Sequence, residues 1–261
     1  MNDNLIFSII IVSLNTKIEF LETLRSVHNQ DFKNFEVIIV DGGSSDGTQE
    51  EIINNEKLIN KKIIEKDQGI YDAMNKGIEL SDGEWVIFMN SGDIFFDKKI
   101  LSSFIINNYS NYDVVYGNTK IKNNGFEHLS ISKFFNKKTF IMPFNHQSSF
   151  VKTKIIKERK FSLNYKFSSD FDFFYHCFSK NKKFKKINKI ISIVKSGGMS
   201  DKNRQKVYSE NINILKSYNS LRYIYSIYML KYFQYVKDII KSILPSKIIN
   251  LILKAKYKQY D

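Results

Sequence analysis

Short apolar runs divide the first 90 residues of the chain into regular segments. Phe7–Ser13 and Phe35–Val40 are rich in β-branched residues, Lys62–Glu65 is a shorter run, and Trp85–Met89 is continuously apolar. Runs without polar alternation are typical of strands that are covered on both faces. The pattern therefore predicts four strands, of which Lys62–Glu65 is a short third one.

Amphipathic stretches lie between these predicted strands. Phe20, Leu21, Leu24 and Val27 recur at helical spacing, and Ile70–Leu80 has the same periodicity. Strands that alternate with helices in this way predict a mostly parallel sheet of βαβ units. The fold class is therefore α/β.

After Asp93 the pattern becomes less regular, and Phe140–Val151 receives no assignment. From residue 203 onward the composition predicts long basic amphipathic helices that Pro245 interrupts, so we place a globular domain at residues 1–202 and a helical tail at 203–261. The other predicted elements are helices over Lys98–Asn108, Phe171–Ser179 and Ser246–Lys256, strands over Val114–Tyr116 and Phe184–Val194, a hairpin within Lys120–Ser132 and a flexible turn over Ser196–Ser200.

The net charge of +13 is unevenly distributed. Residues 1–110 hold 10 basic and 18 acidic side chains, and residues 111–261 hold 30 basic and 9 acidic ones. A basic surface of this kind attracts phosphates of nucleic acids, anionic lipids or diphosphate leaving groups. The single cysteine, Cys177, excludes an internal disulfide and fits a reducing compartment. We expect neither a signal peptide nor a membrane span.

Acidic and small residues cluster where the predicted strands end. Asp41 follows the second strand, Asp67 precedes the helix at Ile70, and Asn90-Ser91-Gly92-Asp93 follows the fourth strand. Open α/β sheets bind ligands outside the carboxyl ends of their strands, so these residues should line one site. We interpret Asp41 as a ligand-binding carboxylate because Asp46 can cap the next helix. Asp67 is explained equally well by helix capping.

Three further residues have both a functional and a structural interpretation. Asn75 lies in mid-helix, where Asn is a poor helix former, so we expect it to make a specific hydrogen bond. Asp170 opens an aromatic helix either as a general base or, more simply, as the N-cap. A lone histidine such as His146 is more often structural than catalytic. Dinucleotide-binding, P-loop and G-x-S-x-G patterns are absent.

Two of these segments together resemble a known family. Residues 41–48, Asp-Gly-Gly-Ser-Ser-Asp-Gly-Thr, and residues 67–77, Asp-x-Gly-x-x-x-Ala-x-Asn-x-Gly, are similar to family two glycosyltransferases of the GT-A fold, in particular bacterial enzymes of colanic acid, capsule and O-antigen assembly. The resemblance covers about the first 200 residues and continues more weakly through His146-Gln147, Ser169–Phe173 and Gly197–Ser200.

The resemblance implies specific roles. Asp93 falls in the region that binds the metal and the diphosphate, where Asn90 and Gly92 replace two acids, and Asp170 falls where inverting members carry the catalytic base. The implied ion is Mn²⁺ or Mg²⁺. Because Asp93 is the one acid left in this region, we expect the substrate diphosphate, with His146 or the Gly197–Ser200 loop, to complete the ligand shell. The residues implied to contact the nucleotide, or expected at its pocket, are Ser13, Asn15, Asp41, Asp67, Asn75, Asn90 and Ser91.

The implied reaction moves one sugar from a nucleotide sugar, by family expectation a uridine diphosphate sugar, to an acceptor hydroxyl. The processive Gln-x-x-Arg-Trp motif is absent, which favours a single-sugar transferase over a polymerase. The basic tail fits a polyprenyl-diphosphate-linked acceptor and an anionic membrane, so we expect a peripheral protein on the cytoplasmic face of a bacterial cell membrane. The alternatives are a non-catalytic nucleotide-sugar-binding module and a nucleic-acid-binding protein, and no nucleic-acid motif favours the latter.

Overall fold

A computed structural model of the chain describes residues 5–123, 126–134 and 142–243. The predicted helix at Ser246–Lys256 and the turn of the predicted hairpin lie outside these residues. In chain order the elements are β1 Phe7–Ser13, α1 Lys17–His28, β2 Phe35–Asp41, α2 Thr48–Asn54, β3 Lys61–Ile64, α3 Ile70–Leu80, β4 Trp85–Phe88, β5 Ile94–Phe95, α4 Ile100–Ile106, β6 Val114–Asn123, β7 Phe126–Ser130, β8 Ser149–Lys152, α5 Thr153–Arg159, α6 Ser169–Ser179, β9 Phe184–Lys195, α7 Met199–Lys202, α8 Arg204–Ser217 and α9 Leu221–Ile243.

The described strands form one sheet in the order β3-β2-β1-β4-β8-β6-β9-β5, and β7 pairs with β6. The first four strands are parallel, as the sequence pattern predicted, with Phe7 level with Phe35 and with Trp85. The second half is mixed, because β8 runs antiparallel to both β4 and β6, and β5 runs antiparallel to β9. The α/β prediction is confirmed.

Alternate residues of the central strands face two separate cores. Ile10 and Val12 pack against α3, α5 and α6 on one face of the sheet, while Ile9 and Ile11 pack against α1, α2 and α4 on the other. These side chains are almost fully buried. Helices on both faces explain why the strands show no polar alternation.

The strand order reverses beside β1, because β2 and β3 lie on one side of it and β4 lies on the other. A crevice forms at such a switch point, outside the carboxyl ends of the strands. The loops that follow β1, β2 and β4 meet there. They carry most of the site residues that the sequence predicted.

Some elements differ from the prediction. The flexible turn predicted at Ser196–Ser200 is wrong in its second half, because Met199 and Ser200 begin α7. Sequence reasoning missed β5, β8 and α5, which are short elements of two, four and seven residues. Short elements of this size show too few periods to be recognised by pattern.

Helices α8 and α9 pack against α6 and against each other. Phe171 and Tyr175 of α6 share an apolar cluster with Leu215 of α8 and with Tyr223 and Ile227 of α9. No helix in the described part of the chain is long and apolar enough to cross a membrane.

Candidate active site

The loops after β1 and β2 are joined around the carboxylate of Asp41, which is fully buried at the end of β2. Ser13 Oγ (3.0 Å) and Ser44 Oγ (2.5 Å) donate hydrogen bonds to Oδ2. The main-chain N–H groups of Gly43 (3.1 Å) and Ser44 (2.8 Å) donate to Oδ1. Four bonds fill the accepting capacity of a carboxylate. Asp41 therefore stabilises the turn after β2. A nucleobase could form a hydrogen bond with its carboxylate only by replacing one of these four donors.

Asn15 connects the same two loops from the solvent side. Its backbone has a φ of +53°, its N–H donates to Ser44 Oγ (2.7 Å), and its Oδ1 accepts the N–H of Ser45 (2.8 Å). Asp46 lies one residue before Gly47, the N-cap of α2, and its Oδ1 accepts the N–H of Thr48, the first residue of the helix (3.0 Å). The predicted nucleotide-pocket residues Ser13 and Asn15 thus lie in one hydrogen-bonded unit with Asp41.

Asp67 reaches this unit from the loop after β3. Its Oδ1 accepts the N–H of Gly69 (2.8 Å), the residue before α3, so Asp67 stabilises the turn and does not cap a helical N–H group. Its Oδ2 lies against Gly42, only 2.3 Å from the position that a Cβ would occupy there. Because Gly42 has no side chain, the Asp67 carboxylate can occupy this space. The loops after β2 and β3 together form one wall of the crevice.

The Asn-Ser-Gly-Asp segment after β4 is a tight turn. The N–H of Asp93 donates to the carbonyl of Asn90 (2.8 Å), and Gly92 at the third position has a φ of +99°. This conformation favours glycine, which explains why an acid is absent at position 92. The N–H of Ser91 donates to the carbonyl of Val12 (3.0 Å), so the turn is attached to the end of β1.

Three polar atoms in this region are buried without a hydrogen-bond partner in the described structure. They are Asn90 Oδ1, Ser91 Oγ and His146 Nε2. Buried polar groups are nearly always paired, so each such atom requires an explanation. A ligand that supplies polar partners would satisfy them.

Hydrogen bonds join His146, Asp170 and Tyr71, and Asp93 lies near this group. His146 Nδ1 lies 3.1 Å from Asp170 Oδ2, and the Tyr71 hydroxyl donates to Asp170 Oδ1 (2.9 Å). His146 and Gln147 are close enough to Asp93 to lower the pKa of its carboxyl. Four separate chain segments meet in this cluster.

The carboxyl groups of Asp93 and Asp170 differ in their proton affinity. Burial raises the pKa of Asp93 to about 7, and His146 and Gln147 oppose this effect only in part. Burial also acts to raise the pKa of Asp170, but the hydrogen bonds and charge from His146, with the Tyr71 hydroxyl, outweigh it and leave the pKa below its ordinary value. Asp170 is therefore an ionised acceptor at neutral pH.

The state of Asp170 fixes the roles of its neighbours. An ionised carboxylate only accepts hydrogen bonds, so His146 carries a proton on Nδ1. Burial and the nearby Asp170 charge hold the pKa of Tyr71 well above its ordinary value, so its hydroxyl stays a donor.

Asn75 makes the specific hydrogen bond that we expected, but its partner is the main chain. Its Nδ2 donates to the carbonyl of Phe161 (2.8 Å), and its Oδ1 accepts the N–H of Phe161 (2.9 Å). Both polar atoms of the amide hold the segment after α5 against α3. A contact between Asn75 and a ligand would have to break this pair.

Sequence reasoning missed three residues of the site. Tyr71 lies in the first turn of α3, and Gln147 follows His146 within a segment that had no assignment. Lys195 ends β9, and its Cδ lies 3.8 Å from the position of a Cβ on Gly92. Its ammonium pairs with Glu22 (2.8 Å) on the exposed side of α1. Tyr71 had a signal because it adjoins the helix start beside Asp67, and Gln147 had one because it lies in the weaker part of the family resemblance.

The described residues contain no group of three or more His, Cys, Asp or Glu side chains that could hold a metal ion. The turn after β4 still offers oxygen donors of the type that Mg²⁺ and Mn²⁺ prefer, with one carboxylate on Asp93 and the unpaired Asn90 Oδ1 and Ser91 Oγ. This set fits an ion that takes its other ligands from a substrate diphosphate and water.

Related proteins were found at the levels of sequence and structure. A glycosyltransferase of PGL/p-HBAD biosynthesis from Mycobacterium bovis is 31% identical over 185 residues, which cover 66% of this chain and 70% of that protein. An uncharacterized glycosyltransferase of Methanocaldococcus jannaschii is 25% identical over 284 aligned positions, which cover 99% of this chain and 96% of the relative.

Solved structures with the same architecture include residues 1–349 of TarS from S. aureus in complex with UDP-GlcNAc, at a TM-score of 0.63 and 20% identity. That match covers 80% of this chain but 65% of the TarS segment, so this chain spans less than two thirds of that structure. The mannosyltransferase PcManGT from Pyrobaculum calidifontis, in complex with GDP-Man and Mn²⁺, matches 97% of this chain at a TM-score of 0.64 and 12% identity. Both likenesses concern the fold.

The model of glycosyl transferase family 2 matches residues 8–187, which is more than half of the chain and includes every predicted site residue. The chain therefore belongs to glycosyl transferase family 2, and its fold is that of GT-A glycosyltransferases.

Proposed function

We propose that the protein transfers a single sugar from a nucleotide sugar to a hydroxyl of a lipid-linked saccharide, with inversion at the anomeric carbon. The observation that carries this proposal is the hydrogen-bonded group of His146, Asp170 and Tyr71, which lies near Asp93 at the switch point of the sheet. In this arrangement the ionised carboxylate of Asp170 lies beside a crevice that contains unpaired polar atoms. A non-catalytic nucleotide-binding module would have no use for such a carboxylate.

Asp170 acts as the general base in this reaction. Its carboxylate accepts the proton of the acceptor hydroxyl while that oxygen forms a bond to the anomeric carbon of the donor. The bond between the anomeric carbon and the diphosphate oxygen breaks, and the nucleoside diphosphate leaves with the electron pair. One displacement inverts the anomeric centre. Tyr71 and His146 hold the two carboxylate oxygens in place.

The nucleotide lies across the loops that carry Ser13, Asn15, Asp41 and Asp67, and its diphosphate lies at the turn that carries Asp93. A bound Mn²⁺ or Mg²⁺ would neutralise charge that develops on the diphosphate. Lys195 beside Gly92 is a second source of positive charge at this corner. Uracil is our proposed base.

The most direct test compares wild type with Asp170→Asn in release of nucleoside diphosphate from a panel of UDP- and GDP-sugars. We expect the variant to bind the donor as wild type does and to lose transfer by roughly 10²- to 10⁴-fold, the usual contribution of a general base. Turnover of Asp170→Asn at the wild-type rate would remove Asp170 from this role. Failure of wild type to release diphosphate from any donor, with or without Mn²⁺, would favour a non-catalytic binding module.

A membrane location is supported by the exposed face of α9. The helix has 23 residues, so it is about 34 Å long. One stripe packs on α8, and the opposite stripe is apolar and between 36% and 74% exposed. Arg222 and Lys237 lie beside this stripe. The exposed apolar residues of α9 are Leu221, Tyr225, Tyr228, Met229, Tyr232, Phe233, Tyr235, Ile239, Ile240 and Ile243.

Tyrosine is enriched where proteins meet the membrane interface, and basic side chains are attracted to anionic lipid. We therefore propose that this stripe lies on the cytoplasmic surface of a bacterial cell membrane, where a polyprenyl-diphosphate-linked acceptor of surface polysaccharide assembly would be presented. The test is flotation with vesicles that contain anionic lipid. The double variant Tyr225→Glu and Tyr232→Glu should lose binding, whereas Ile106→Glu, at an exposed apolar site on α4, should not. Equal flotation of all three proteins would contradict the proposal.

A further inference from the structure

Helix α8 holds the segment that leads into the Asp170 helix. Both carboxylate oxygens of Glu210 on α8 accept main-chain hydrogen bonds, from the N–H of Lys166 (3.1 Å) and the N–H of Phe167 (2.9 Å). The next residue, Ser168, donates its hydroxyl hydrogen bond to the carbonyl of Val207 on α8 (3.3 Å). Three consecutive residues before α6 are thus bound to one helix more than 35 positions away in the chain.

The contact between α8 and α6 continues beyond this loop. Asp172 of α6 is buried and pairs with Arg159 (2.8 Å), and the hydroxyl of Tyr218, at the end of α8, lies 3.3 Å from the same carboxylate. The apolar cluster that contains Phe171 and Tyr175 lies alongside these polar contacts. Asp170 therefore lies between residues that α8 holds on both sides.

Residues 161–168 have no regular secondary structure, and the N–H groups of Phe161, Lys166 and Phe167 bond to side chains. A carboxylate that accepts two N–H groups fixes the direction of the chain at the start of α6. The position of the Asp170 carboxylate depends on this chain direction, because one of its oxygens contacts His146 and the other contacts Tyr71. A displacement of about 1 Å at a reacting group can cost on the order of 100-fold in rate.

We propose that Glu210 is a positioning residue for catalysis, which sets the alignment of Asp170 from outside the region that matches the family. Glu210 lies beyond residue 187, where the family match ends. This inference rests on the proposed role of Asp170. It assigns to α8 a part in the reaction that the composition of the tail did not indicate.

The test is Glu210→Gln, which keeps the shape of the side chain but leaves one accepting oxygen in place of two. We expect kcat to fall about 10- to 100-fold while the KM for the donor stays within about twofold, because the donor-binding loops lie elsewhere in the structure. Glu158→Gln is the matched control, since Glu158 is exposed on α5. Ser168→Ala, which removes the bond to Val207, should lower kcat in the same direction by a smaller factor.

A double-mutant cycle separates positioning from general destabilisation. If Glu210 acts through Asp170, Glu210→Gln should have no further effect in the Asp170→Asn background. An equal loss of rate in both backgrounds, or an unchanged kcat in Glu210→Gln, would overturn the inference.

Amide hydrogen exchange provides a reading that does not depend on turnover. Glu210→Gln should speed exchange within residues 166–172 and leave β1 and β2 unchanged. If wild type turned over no donor, the proposed function would fail, and the exchange data alone would decide whether Glu210 holds the segment before α6. Unchanged exchange would overturn that role. Faster exchange confined to residues 166–172 would support it.

Discussion

Replacing Gly42 with Ala tests how the loops after β2 and β3 pack against each other at the proposed nucleotide site. Gly42 does not have a positive φ, so alanine can adopt its backbone conformation, and the only severe contact of the added methyl group is with Asp67. The methyl carbon would lie 2.3 Å from Asp67 Oδ2 and 3.0 Å from its Cγ. The carboxylate would have to withdraw by roughly 1 Å to reach a normal contact distance.

The expected energies follow from this contact. Overpacking costs about 1–3 kcal/mol, and the lower entropy of alanine in the unfolded chain returns about 0.4–1 kcal/mol. Gly42→Ala should therefore destabilise the protein by about 0.5–2 kcal/mol. In the Asp67→Ala background the clash is absent, and the nearest contact that remains is Leu14 Cδ1 at 3.4 Å. There the same substitution should be neutral or slightly stabilising.

Urea unfolding and calorimetric titration with UDP would measure both effects. If Asp67 binds the nucleoside, Gly42→Ala and Asp67→Ala should each weaken UDP binding, and the double variant should bind no more weakly than Asp67→Ala alone. Gly198→Ala is the control, because nothing lies within 4 Å of its added methyl group. Additive losses in stability and affinity would refute the reasoning, since they would mean that Gly42 and Asp67 act independently.

Four other variants test separate parts of the site. Asn75→Ala should lose about 1–3 kcal/mol in urea unfolding with unchanged UDP affinity, and a selective loss of affinity would restore a ligand role for Asn75. Tyr71→Phe removes a donor to the charged form of Asp170 and so raises the pKa of that base. The acid limb of its kcat–pH profile should move to higher pH, and an unmoved limb would contradict this. Lys195→Ala should raise the KM for the donor up to about tenfold at low salt, and an unchanged KM would exclude contact with the diphosphate. Because burial raises the folded-state pKa of Asp93 from 3.8 to about 7, wild type loses stability as pH rises from about 4 through 7. In metal-free buffer the advantage of Asp93→Asn in unfolding free energy should therefore grow by roughly 2–3 kcal/mol between pH 5 and pH 8, and a constant difference would show an ordinary pKa.

The parallel half of the sheet and the strand-end residues were readable from the sequence for one physical reason. A strand that helices cover on both faces, such as Trp85–Phe88, must be continuously apolar, and the polar residues that follow it are then forced to the sheet edge. Asp41 and Asp93 were located by this argument alone. Their hydrogen-bond partners were not, because a carboxylate at a strand end serves a turn and a ligand equally well.

The N-cap alternative for Asp170 is wrong, because Ser168 is the N-cap of α6 and Asp170 lies within its first turn. The contacts that hold its carboxylate could not be predicted. Tyr71 lies 99 positions away in sequence and His146 lies 24 positions away, and no local pattern connects them. Asn75 illustrates the opposite case. Its poor fit to a helix correctly indicated a specific hydrogen bond, but the sequence could not show that the partner was the main chain of Phe161 rather than a ligand.

The basic tail has one composition but two structural environments. Leu215 of α8 and Tyr223 of α9 are buried against α6, whereas Tyr225 and Tyr232, only a few positions further on, are exposed. Removing the tail at residue 203 would therefore uncover the Asp170 helix as well as delete the proposed membrane stripe. Loss of activity in such a truncation would not distinguish a role of the tail in membrane binding from the positioning role of Glu210. The two roles separate only when surface side chains of α9 and the carboxylate of Glu210 are changed independently, because the first change leaves the bonds to Lys166 and Phe167 intact and the second leaves the exposed stripe intact.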